Sequence, residues 1–207
     1  VGTIDASLVG VSASATYDAT DRALDPTTGH RLAIEAVPVA GRLDDRRVTF
    51  GRIDARGSIY RPVGARARHV AAVRARAAMV VSKDLASVSA TRRLYAGGGG
   101  SVRGYAKSSI GPLGPGGTPT GGRSLLELEA EFRIRVGEDF GIVPFVAAGI
   151  VSEATVPDGL SGVQAAVGIG ARYFSRVGPI RIDLAVPLHA RALDDSFAVY
   201  ASIGQAF

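Results

Sequence analysis

Between Ser124 and Val136 the chain alternates without a break, with Leu126, Leu128, Ala130, Phe132, Ile134 and Val136 on one parity and Glu127, Glu129, Glu131, Arg133 and Arg135 on the other. At helical spacing these charges would scatter around a cylinder. At period two they form one charged wall and one apolar wall. The segment is expected to be a long strand, and its two faces demand very different surroundings.

The same period recurs along the chain. Val9 to Tyr17, Arg31 to Val39, Val48 to Tyr60, Val70 to Val81, Phe140 to Val151, Val163 to Phe174, Gly178 to Leu188 and Phe197 to Phe207 read as further strands, about nine in all. Polar or Gly/Pro-rich punctuation separates them at Asp25-Pro26-Thr27-Thr28-Gly29, 41–47, 62–68, Gly178-Pro179 and Leu193-Asp194-Asp195-Ser196. Pro38 is placed near a strand end, where a missing ladder hydrogen bond is tolerable. No stretch has a sustained 3.6-residue period, so the fold class is all-β and antiparallel, without a domain break.

Two environments suit such strands. A soluble β-sandwich would hydrate the charged faces and bury the apolar ones. Strands of about 10–13 residues exceed the 5–6 usual in soluble proteins, and a face carrying both signs of charge resembles the wall of a polar lumen. The longest apolar run, Phe140 to Val151, contains Pro144 and falls short of the roughly 20 residues of a spanning helix, whereas a spanning strand needs only about 9–11. An up-and-down transmembrane barrel fits better. Nine strands leave two edges, which lipid does not tolerate, so the chain is expected to be part of a larger barrel.

Composition narrows the function. There is no Cys in the 207 residues, which removes disulfides and thiolate metal sites. His30, His69 and His189 fall in or near turns and strand ends, with no spacing for a catalytic set or a metal site. The Gly97 to Gly100 run lacks the Lys-Ser/Thr of a phosphate-binding loop. The net charge of +5 is spread along the chain, with Arg interleaved among acids and few aromatics, unlike a nucleic-acid surface. Neither an enzyme nor a cofactor is indicated.

The remaining feature is the long connection 82–122. It holds Gly97-Gly98-Gly99-Gly100-Ser101-Val102-Arg103-Gly104-Tyr105 and a second Gly/Pro tract, 111–122. Four glycines permit almost any backbone path, and the residues that follow supply an apolar anchor, a permanent cation, a hinge and an aromatic ring. Such a loop is expected to reach somewhere and dock. A guanidinium in a partly dehydrated lumen requires an anion, and the acidic strand begins about 20 residues later.

Together these stretches resemble the C-terminal part of the barrel of the outer-membrane assembly and translocation superfamily, which includes BamA, TamA and the two-partner secretion transporters. The resemblance rests on Tyr17-Asp18 with Asp25 to Gly29, on Arg93 to Tyr105, on Gly122 to Glu127, on Gly178 to Leu188 and on Ser202-Ile203-Gly204-Gln205-Ala206-Phe207. The wording of Ala96 to Tyr105 looks most like the TamA branch. The resemblance implies residues 1–207 as roughly the last nine strands of a 16-stranded barrel, without its first strands and its POTRA domains. It implies a bacterial outer-membrane location, client β-barrel proteins of autotransporter type, outer-membrane lipid and a TamB-like periplasmic partner. A BamA-like factor, a two-partner secretion transporter and a passive porin-like channel remain alternatives. By the same resemblance the Val102-Arg103-Gly104-Tyr105 tetrad inserts into the lumen and Arg103 meets Glu131 and its neighbour Glu129 on the inner wall. The family's acid on the next strand is absent, because that position is Ala147. Phe207, with Ile203 on its face and Gly204 as a possible kink, resembles a C-terminal insertion signal presented to lipid.

Overall fold

The computed structural model describes residues 5–44, 46–64, 68–157, 159–176, 178–191 and 194–207. Among them lie ten strands: β1 (Ala6–Gly10), β2 (Ala13–Asp18), β3 (Gly29–Leu43), β4 (Arg46–Val63), β5 (His69–Val81), β6 (Ser124–Val136), β7 (Phe140–Ser152), β8 (Gln164–Ser175), β9 (Gly178–Pro187) and β10 (Ala198–Ile203). They form a single antiparallel meander in which β1 and β2 both pair with β3, and each later strand pairs with the next through to β10. No ladder joins β10 to β1 or β2 among the described residues, so the sheet is open.

The difference between nine expected strands and ten observed ones has a single cause. Gly10 faces Val39 and Ala13 faces Ala36, so β1 and β2 keep one register across a two-residue gap. The gap lies opposite Pro38, which has no N–H to donate, and the Val11 N–H still reaches the Pro38 carbonyl at 3.3 Å. One strand position is thus occupied by two pieces.

Other strand ends also move. β3 runs through Leu43 and β4 starts at Arg46, so the turn expected over 41–47 shrinks around Asp44, which has a φ of 50°. Residue 45, residues 65–67 of the second expected turn, and Leu193 lie outside the described residues.

Exposure decides which face is wet. On β6 the charged face is buried, with Glu129 2% and Arg133 5% exposed, while Leu128 on the opposite face is 56% exposed. On β9 Asp183 is fully buried between outward Ile182 and Leu184. A soluble sandwich would show the reverse. Strands with charges inside and Leu, Ile, Val and Phe outside are those of a barrel wall facing lipid.

Two segments fold against the inner face where the sequence pattern places them elsewhere. The 19–28 loop between β2 and β3 crosses to the far strands. There the Leu24 carbonyl accepts from the Gln205 N–H at 3.0 Å, Asp25 accepts from the Gln205 amide at 2.9 Å, and the Pro26 carbonyl accepts from Arg133 at 3.0 Å. Strand alternation places Phe207 outward beside Ile203, but the extended run ends at Gly204, whose φ is 91°. Val199 and Ile203 remain exposed on the outer face, whereas Phe207 turns inward. Its ring lies 6.2 Å from that of Tyr60, beneath Arg74 and Arg133, and its carbonyl accepts from Arg133 at 2.9 Å.

Candidate functional site

The 82–122 connection is a built structure. Asp84 caps a short 3-10 turn, Leu85–Ser87, by accepting from the Ser87 N–H at 2.8 Å and from its hydroxyl at 2.6 Å. Arg93 ties that turn to the far side of the loop, donating to the carbonyls of Val88 at 3.0 Å and Thr120 at 3.0 Å. Two antiparallel bridges, Leu94 with Gly122 and Ala96 with Ile110, form a neck. Val88, Leu94, Ala96 and Ile110 share one apolar core with Val80 of β5 and Leu125 of β6. This apolar neck carries the loop into the lumen.

The glycine run then makes a tight turn. Gly97 and Gly98 have φ of 105° and 103°, and a Cβ on Gly97 would come within 2.4 Å of the Ala106 carbonyl oxygen. A Cβ on Gly99 would meet the Tyr200 ring at 2.8 Å, while one on Gly100 would meet nothing within 4 Å. Three of the four glycines are therefore fixed by geometry, two by backbone and one by a close neighbour. The turn is closed by hydrogen bonds from the Gly98 N–H to the Tyr105 carbonyl at 3.0 Å and from the Gly97 N–H to the Ser101 hydroxyl at 2.9 Å.

Every member of the tetrad is buried. Val102 enters the apolar core and lies against Gly149 of β7, where a Cβ would approach it to 2.6 Å. Gly104 has a φ of 107°, and a Cβ there would fall 2.6 Å from that of Ala166 on β8. The Tyr105 hydroxyl donates to the Ala165 carbonyl at 3.0 Å.

Arg103 has no exposed surface. Its Nη2 donates to Glu129 and, at 2.6 Å, to Glu131, while its Nη1 donates to Asp183 at 2.5 Å. Phe145 of β7 packs its ring 3.4 Å from the guanidinium carbon, a cation–π contact that covers the remaining face. Three carboxylates around one guanidinium would repel each other, and further cations hold them. Arg74 bonds Glu129 at 2.6 Å, Arg133 bonds Glu131 at 3.0 Å and Arg172 bonds Asp183 at 2.5 Å. Arg74 also donates to the Gly100 and Ser101 carbonyls at 3.1 and 3.0 Å, so one wall cation grips both the loop backbone and the acid that receives Arg103.

The structure thus brings Arg103 together with Glu129 and Glu131. Glu127 lies beside them but bonds Ser101 and Arg76 instead. Asp183 is the partner that the sequence pattern did not single out. Its signal was available, because Arg181 and Asp183 share a parity within an otherwise apolar strand, but only the register of β8 and β9 places that face against Arg103. Ala147, where the family's second acid was expected, is buried beside Glu129 across the β6–β7 ladder. Asp183 reaches the same guanidinium from β9. This ion network ties the loop to β6 and β9 through one guanidinium.

The family model that describes the Omp85 superfamily domain matches residues 2–207. Among solved structures, the crystal structure of BamA from Haemophilus ducreyi lacking POTRA domains 1-3 superposes with a TM-score of 0.75 at 24% identity, over 92% of this chain and 41% of that one. The chain therefore spans about two-fifths of the length of the solved structure it matches.

Proposed function

The chain belongs to the Omp85 superfamily of bacterial outer-membrane β-barrel proteins, and from that premise we propose that it forms the C-terminal barrel wall of a TamA-like factor that inserts or translocates other outer-membrane proteins. The observation that carries the reading is the complete burial of Arg103 among Glu129, Glu131 and Asp183. A loop held this firmly by charge braces the lumen wall. Meanwhile β10, whose strand ladder is to β9 alone among the described residues, is the place where the wall opens and offers a strand edge to a client. The clients in this reading are β-barrel proteins of autotransporter type, moving from a TamB-like periplasmic partner into outer-membrane lipid. A lumen filled by a docked loop favours assembly over a passive pore.

The experiment is Arg103→Ala in the full-length protein carrying this chain. Removing one partner of a buried ion network costs about 3–5 kcal/mol, so client insertion should fall sharply at normal abundance. Unchanged insertion would discard the docking role. Single-channel conductance separates the remaining class, since a steady large pore unaffected by Arg103→Ala would identify a channel.

A further inference from the structure

β10 has six residues, paired with β9 over six rungs. Tyr200 points inward from its middle, directly across from Asp183. The Tyr200 hydroxyl accepts the Gly104 N–H at 3.0 Å and donates to the Tyr105 carbonyl at 3.1 Å. Gly99 lies so close to the ring that a Cβ there would approach it to 2.8 Å. Among the described residues, both hydrogen bonds that join β10 to the loop pass through this one oxygen. The other bonds to the glycine run and tetrad come from β5, β6, β8 and β9 and from the His189 carbonyl just beyond β9.

We propose that Tyr200 couples the edge strand to the tetrad, so that seating the loop and holding β10 in place are one event. Both of its partners are backbone groups of the tetrad, and they meet the hydroxyl only when Arg103 is docked and Gly104 lies against Ala166. When the loop withdraws, β10 loses that tie, its ladder to β9 is the one strand pairing it keeps among the described residues, and its edge becomes free to exchange partners. Coupling of this kind is reciprocal: an edge strand that peels away weakens the dock by the same factor. The proposal rests on the assembly reading for its purpose, but not for its measurement.

The test is hydrogen exchange of the 198–203 segment in the full-length protein in lipid vesicles, without client. Tyr200→Phe keeps the ring against Gly99 and removes only the hydroxyl, and should raise exchange on the order of tenfold. Arg103→Lys should raise it comparably from a side chain with no hydrogen bond to β10 among the described residues, and the double variant should exceed neither single one. Should Arg103→Lys fail to accumulate, Glu131→Lys unseats the loop from β6 and serves in its place. Exchange of 198–203 that ignores the loop variant, or two effects that multiply, would overturn the coupling. Client insertion measured on the same proteins is a separate readout: its loss with the exchange pattern absent leaves assembly standing and removes the coupling, and the converse removes assembly alone.

Discussion

At the scale of single residues, the site distinguishes between neighbours that look equivalent in the sequence. Glu127 and Glu131 share a face of β6, yet Glu131 contacts Arg103, Arg133 and Arg172 while Glu127 serves Ser101 and Arg76. Glu131→Lys should therefore expel the tetrad and Glu127→Lys should leave it seated. These 207 residues have no Cys, so with any Cys elsewhere in the full-length protein replaced, a single Val102→Cys gives a clean reporter, buried when docked and labelled by a maleimide when not. Equal labelling in the two variants would refute the assignment. The glycines allow a second comparison. Gly100→Ala should be silent, whereas Gly104→Ala clashes with Ala166 at a φ of 107°. Ala166→Gly should relieve the clash but restore docking only in part, because a non-glycine residue at that φ still costs on the order of 1–3 kcal/mol.

At the scale of elements, the 19–28 loop holds its fold by a carboxylate that titrates far from neutrality. Partial burial pushes the Asp21 carboxyl up, but hydrogen bonds from the Thr27 hydroxyl and from the Thr27 and Thr28 N–H groups outweigh it and bring the pKa down to about 2. A lowered folded-state pKa contributes stability that is fully present above the ordinary value of 3.8 and is lost as pH falls through about 2. Exchange protection of Thr27 and Thr28 should thus be flat from neutrality to about pH 4 and decline only towards pH 2, and Asp21→Asn should lower it throughout. The strands were legible in the sequence because period two shows directly which side chains share a face, and Ser124 to Val136 is observed with the expected limits. What could not be read depends on tertiary register or on one dihedral angle. Asp183 meets Arg103 only through the pairing of strands beyond the loop, Pro38 interrupts a ladder its own strand does not reveal, and Gly204 reverses a chain whose alternation places Phe207 in lipid.

At the scale of the whole molecule, the outer faces of the strands are apolar, and buried charges share the interior with the apolar neck of the loop. Leu128, at mid-strand on the outer face, is the natural probe. In the full-length barrel, Leu128→Arg should lower stability by about 2–4 kcal/mol, the cost of a cation near the bilayer midplane, as read from denaturant titrations in vesicles. An effect near zero would place that face in water. The inverted distribution also sets an order of events. The acids that receive Arg103 stand 26, 28 and 80 residues further along the chain. The last of them reaches the lumen wall only when β7, β8 and β9 have each paired in register. Arg103 has no complete berth until β6 to β9 stand in register, so its burial reports on the pairing of strands that follow it in the chain. Seating of the tetrad is thus an inner-face check on four strands at once, and a register error in any of them would leave the guanidinium short of a carboxylate.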